Sequence, residues 1–193
     1  MPSTDHVTTA SGRTIDGLFP GVWTVDPVHS EVEFVARHLM VSKVRGRFSD
    51  FTGQITIGAT LAECSVEASV RTASVETRDP ARDEHLRSPD FFDVERHPEM
   101  TFRSTGVRED DGDFLLDGEL ALVGVTRPVT FVLEFNGAGP DLWDGVRAGF
   151  SAKAQISRKQ WGLTWNEAIE TGGVLVSDKV TIELEVQAVA PTA

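Results

Sequence analysis

From Val22 to the C-terminal region, apolar and polar side chains alternate with a period of two, and one long stretch interrupts the pattern. That alternation restricts the fold more than any other feature of the chain. Val32, Phe34, Ala36 and His38 share one parity, against Glu31, Glu33 and Arg37. Val66, Ala68 and Val70 alternate with Glu67, Ser69 and Arg71, and Met100, Phe102 and Ser104 with Thr101 and Arg103. The same rhythm runs through Val129–Phe135, Val146–Ile156 and Val180–Val186. A period of two marks a half-buried antiparallel strand with one face on a core and the other in water. Roughly eight such stretches at regular spacing predict an all-β sandwich or barrel. Two stretches, 32–57 and 146–157, read as long strands, which favours the eight-stranded antiparallel barrel. Asp26-Pro27 stops a first short strand at Trp23 and Val25, and Val44 to Phe48 reads as a continuation of the strand before it. A phase slip predicts a bulge near Thr72. Asp110-Asp111-Gly112-Asp113 predicts a hairpin turn, residues 124–128 a connection, and residues 137–145 a loop.

The interruption, a short helical segment near residues 80–93, carries its own signals. Asp79-Pro80 and Ser88-Pro89 each set a capping oxygen before a proline, which predicts two short helical turns. Leu86, Phe91 and Phe92 give them an apolar underside. A lid or end-plug over a barrel fits that description.

The 193 residues suit one domain, expected over 21–190. Residues 1–20 are rich in Ser, Thr, Gly and Asp and read as a flexible tail whose end docks on the domain. A net charge of −12 argues against a nucleic-acid partner, which requires clustered Lys and Arg. Cys64 is the single cysteine, so no internal disulfide forms. No apolar run of membrane-spanning length is visible, and the start of the chain lacks a secretory signal. The expectation is a cytoplasmic protein with no integral membrane segment.

Several ordered pieces resemble one family. They include Trp23-Thr24-Val25-Asp26-Pro27-Val28-His29-Ser30, Val44-Arg45-Gly46-Arg47-Phe48 and Arg82 to Asp93. They also include His97-Pro98-Glu99-Met100-Thr101-Phe102, Gly124-Val125-Thr126-Arg127-Pro128 and Ser157-Arg158-Lys159-Gln160-Trp161-Gly162-Leu163. In order and spacing they resemble the YceI-like, polyisoprenoid-binding, lipocalin-like barrels. The resemblance implies a long apolar tunnel that binds an isoprenoid or other long-chain fatty amphiphile. It does not imply a catalytic activity, so no catalysis is expected, and no cofactor is expected either. It also implies a possible homodimer.

Under that resemblance the tunnel wall would be built from residues of one parity. On the strands these are Val32, Phe34, Phe48, Val70 and Phe102, then Leu120, Phe131, Phe150, Ile156 and Ile182. Leu86, Phe91, Phe92 and Trp161 would complete it from the connections. Small residues on the same faces (Ala36, Gly46, Ala68, Gly118, Ala148, Ala152, Ala154) either leave room for a ligand or match large residues across a filled core. His29, Arg82, His85, Asp90 and Arg158 are candidates for a polar tunnel mouth. Asp26, His29, Arg82, Asp83, His85 and Asp90 read as one hydrogen-bonded network tying the helical turns to the barrel end.

Other chemistries have weaker sequence support. The histidines form no H-x-x-x-H pair and no HExxH, so no metal site is expected. No G-x-S-x-G and no Gly-rich phosphate loop occurs. An enzyme would have to use His29 or His85 as acid or base within reach of a small apolar substrate. A lipid-free structural barrel with a filled interior is the third reading.

Overall fold

The protein is described from a computed structural model covering residues 7–9, 14–142, 145–167 and 175–191. The alternating stretches form eight strands. β1 has two halves, Gly21–Val25 and Glu31–His38; β2 comprises Ser42–Phe48 and Phe51–Ile57; β3 comprises Ser65–Arg71 and Val75–Glu76. β4 is Glu99–Asp110, β5 Asp113–Leu122, β6 Val125–Pro140, β7 Val146–Ser157 and β8 Lys179–Val189. Each strand pairs antiparallel with the one before it in the chain. β8 pairs with β7 along its whole length and with both halves of β1 on its other side. The sheet therefore closes into an eight-stranded up-and-down barrel.

Four details differ from the sequence reading. Residues 42–48 do not continue the strand before them. The chain reverses at 39–41, and Phe34 pairs with Gly46 across a hairpin. The turn is made by Leu39 and Met40, both at positive φ, without any glycine, asparagine or proline to announce it. The link between β5 and β6 is the two-residue turn Val123-Gly124, at φ 49° and 74°, so residues 125–128 already lie in a strand. The expected loop at 137–145 is mostly strand. Gly137, at φ 117°, marks a bulge, after which the ladder to β7 continues from Gly137↔Gly149 to Pro140↔Val146. Glycines pair through the backbone as well as any residue, so a Gly-rich run need not be a loop. The part of that expected loop at 143–144 lies outside the described residues. The phase slip near Thr72 is a single 3-10 turn, Thr72–Ser74, between the halves of β3.

Between β3 and β4 lies one helix, α1 (Pro80–Arg87), followed by a run of turns instead of a second helical turn. The Asp79 side chain caps α1 by accepting from the backbone N–H groups of Ala81 and Arg82 at 3.1 and 3.3 Å. Leu86, Phe91 and Phe92 face the barrel and close this end. The other end is closed by the stretch expected to be mostly tail. Val7 pairs with Ile15, the Thr8 N–H donates to the Ala59 carbonyl, and Val7 is only 1% exposed. Val7 and Leu18 supply the apolar area that holds this segment on the barrel. Residues 1–6 and 10–13 of the expected tail lie outside the described residues.

Candidate functional site: an apolar cavity along the barrel axis

Alternation sends one parity of every strand inward, and the inward side chains surround a cavity of about 310 Å³. That value lies at the small end of the roughly 300–1,000 Å³ range of ligand pockets. The cavity runs between the two plugs. Val7, Leu18 and Leu61 line one end, and Leu86, Phe91 and Phe92 the other. Val32, Phe34, Phe48 and Val70 line it, as do Phe102, Leu120, Phe131, Phe150, Ile156 and Ile182. Its aromatic rings are held in tilted or edge-on pairs. Phe34 with Phe48, Phe48 with Phe92, Phe102 with Phe131, and Phe135 with Phe150 have centroids 5.3–5.7 Å apart.

Trp161 is the apolar candidate that the structure places elsewhere. It is 1% exposed and does not line the cavity; its indole N–H donates to the Leu120 carbonyl at 3.0 Å. It sits in the 3-10 turn Arg158–Trp161 and packs in the same buried cluster as Phe48, Leu120 and Phe131. Several lining residues were missed. Phe114, Leu116 and Phe135 obey the alternation and could have been read from it. Leu18 falls at the end of the tail, where docking is expected; Val7 could not have been read, because nothing local distinguishes a docked segment there from a free one.

The small residues divide between the two readings. A Cβ on Gly46 would lie 2.2 Å from the Phe34 ring, and one on Gly118 2.3 Å from the Phe102 ring. At these two positions the glycines seat aromatic rings and leave no free volume. Ala36, Ala68 and Ala152 face the cavity itself, whereas Ala148 and Ala154 are buried in the wall.

The polar candidates do not form one network. At the helix end, the Asp83 carboxylate accepts from the Thr77 N–H and hydroxyl at 2.7 and 2.5 Å, and the Arg82 guanidinium donates to the Thr77 hydroxyl and carbonyl, each at 2.7 Å. His85 bonds Asp90 at 2.9 Å and stands edge-on to Trp165 and Phe91. None of Arg82, His85 and Asp90 lines the cavity. His29 belongs to a separate cluster at the break between the halves of β1, where it bonds Asp26 at 2.9 Å. There the Arg147 guanidinium donates to Asp26 and to the Gln187 side chain. The two groups separate because residues 26–30 interrupt a wall strand, while 77–90 cross the barrel end. Cys64 lines the cavity near the tail, and burial pushes its thiol pKa up, so the sulfur stays protonated and is a poor nucleophile.

Asp26 gives this wall cluster a pH signature. Its hydrogen bond from Arg147, then the one from His29, lowers its pKa from 3.8 to about 2. A carboxylate depressed in the folded state contributes stability above its unfolded pKa and loses it as pH falls through the folded value. The urea midpoint of the wild type is expected to exceed that of Asp26→Asn at pH 6. The gap should close between about pH 4 and pH 2. A gap independent of pH would remove the ionic part of this account.

Arg158 alone among the polar candidates lines the cavity. It is 4% exposed and donates to the carbonyls of Ser177 at 2.9 Å, Leu163 at 2.7 Å and Val176 at 3.5 Å. Burial lowers its pKa, partly offset by the charge of Asp178.

Barrels of this form are known among solved proteins, and residues 23–188 match the model of the YceI-like domain. The chain belongs to the YceI-like family. This YceI-like chain is 37% identical over 166 residues to a UPF0312 protein of Staphylococcus aureus, covering 83% of this chain and 93% of the relative. A UPF0312 protein of Azotobacter vinelandii is 42% identical over 137 residues, covering 70% and 71%. The YCEI protein of Campylobacter jejuni superposes with a TM-score of 0.69 at 27% identity, over 81% of this chain and 90% of that one. A polyisoprenoid binding domain from Saccharophagus degradans, at 18% identity, shares the fold with a TM-score of 0.65 over 88% and 98% of the two chains.

Proposed function

We propose that this YceI-like barrel carries or sequesters a polyisoprenoid or another long-chain amphiphile, tail inward, and performs no catalysis. The supporting observation is the axial cavity, whose wall is almost wholly aliphatic and aromatic. The likeness to the Saccharophagus degradans polyisoprenoid binding domain points the same way. A tail burying on the order of 400 Å² of apolar surface gains roughly 10 kcal/mol. Association costs on the order of 4 kcal/mol or more. Binding of this kind requires no special polar chemistry beyond an unfilled apolar space.

The acid–base alternative has no support in the geometry. His29 sits on the wall beside Asp26 and Arg147, His85 is held by Asp90, and neither reaches the cavity. The direct test is native mass spectrometry of protein purified without detergent, followed by uptake of a fluorescent polyprenyl probe. A lipid-sized adduct or saturable uptake is expected. Absence of both would overturn the reading and leave a structural barrel. By family likeness the carrier forms a homodimer, which size-exclusion chromatography with light scattering would register as twice the chain mass.

A further inference from the structure

We infer that the cavity's occupant bears an anionic oxygen head group, a carboxylate or a phosphate monoester, that docks on Arg158 while its tail extends toward Val7 and Leu18. This rests on the lipid-binding reading and specifies the ligand class.

Arg158 is the only cation among the described residues that line the cavity. The other charged lining residue is Glu33, whose carboxylate lies 3.6 Å from Arg45 and belongs to the ion pairs between neighbouring strands. All the hydrogen-bond partners of the Arg158 guanidinium are neutral carbonyls. Among the described residues no carboxylate forms an ion pair with it. Asp178, the acid whose charge it feels, accepts both its 2.8 Å contacts from the Ser157 hydroxyl and a further one from the Lys159 N–H. The carbonyls satisfy the geometry of three N–H groups but do not neutralise the charge.

A guanidinium has five N–H donors in a planar fork that matches carboxylate and phosphate oxygens. Three are engaged, so two remain for an oxygen arriving through the cavity. A buried ion costs free energy unless a counter-charge meets it, and an anionic ligand supplies that charge in a water-poor site. A neutral chain of equal length fills the same space and leaves the charge as it was. A guanidinium serving only to clamp Leu163, Val176 and Ser177 through their carbonyls would make no such distinction between ligands.

The experiment uses the full chain, stripped of lipid, with three probes that share a sixteen-carbon tail: palmitate, hexadecyl phosphate and hexadecanol. Affinities are read by isothermal titration or native mass spectrometry. The wild type is expected to bind the two anions at least about tenfold more tightly than the alcohol. Arg158→Met should bring both anions down to the level of the alcohol, all three measured on the same variant. Inorganic phosphate at millimolar concentration should not displace palmitate, which separates a lipid head group from a free phosphate site. Equal binding of all three probes by the wild type, or an undiminished anion preference in Arg158→Met, would overturn the inference and leave the lipid-binding reading standing. Failure of every probe to bind would overturn that reading too. If Arg158→Met does not fold, the wild-type probe series decides by itself.

Discussion

Phe150→Asp is expected to eliminate long-chain ligand binding and to lower stability by roughly 4 kcal/mol or more. Phe150 is 9% exposed, lines the cavity, and stands opposite Phe135 on β6 and Val186 on β8. Its ring lies 5.5 Å from that of Phe135. Truncating a buried Phe costs about 3–5 kcal/mol through lost contacts and the space left behind. A carboxylate adds a desolvation penalty, because its immediate neighbours Phe135 and Val186 are apolar. The control is Gln155→Asp on the outer face of the same strand, expected to change stability by no more than about 0.5 kcal/mol. Urea unfolding and native mass spectrometry on both variants read the two effects. A Phe150→Asp protein that folds and retains lipid would show that the faces of β7 are reversed.

Trp161→Ala is expected to cost about 3–5 kcal/mol of stability. The substitution removes one of the most deeply buried side chains described, and it strips the Leu120 carbonyl of the indole N–H. Trp161→Phe separates the two contributions. It keeps most of the bulk and leaves the carbonyl without its donor, for a cost of about 1–3 kcal/mol. Because Trp161 does not line the cavity, the lipid affinity of whatever fraction folds should stay near that of the wild type. A severe affinity loss at unchanged stability would place this side chain in the binding surface after all.

The contrast between these two residues shows how much of the site was legible. Phe150 belongs to an unbroken alternating run, and in a barrel that alternation decides which face points inward. Val32, Phe102 and Ile182 follow the same alternation and line the cavity. Trp161 sits in a 3-10 turn, where a period of two says nothing about direction. His29 and His85 show the complementary difficulty. Both were read into one polar group, yet the break in β1 and the cap on α1 lie in different parts of the barrel. The hairpin at 39–41 was invisible because Leu39 and Met40 adopt positive φ without any of the residues that usually permit it.

Taken alone, the order of side chains determined the strand class, the inward parity of most strands, the position of α1 and the family. These are local properties, set by pleat geometry, capping and turn chemistry within a few residues. The tertiary structure decided closure of the sheet through β8 against β1, and the docking of Val7 and Leu18 at one end. It also decided the seating of Phe34 over Gly46 and the burial of Arg158 at the cavity wall. Each of these brings together residues far apart in the chain, and whether space is filled or left open depends on the shapes of both partners.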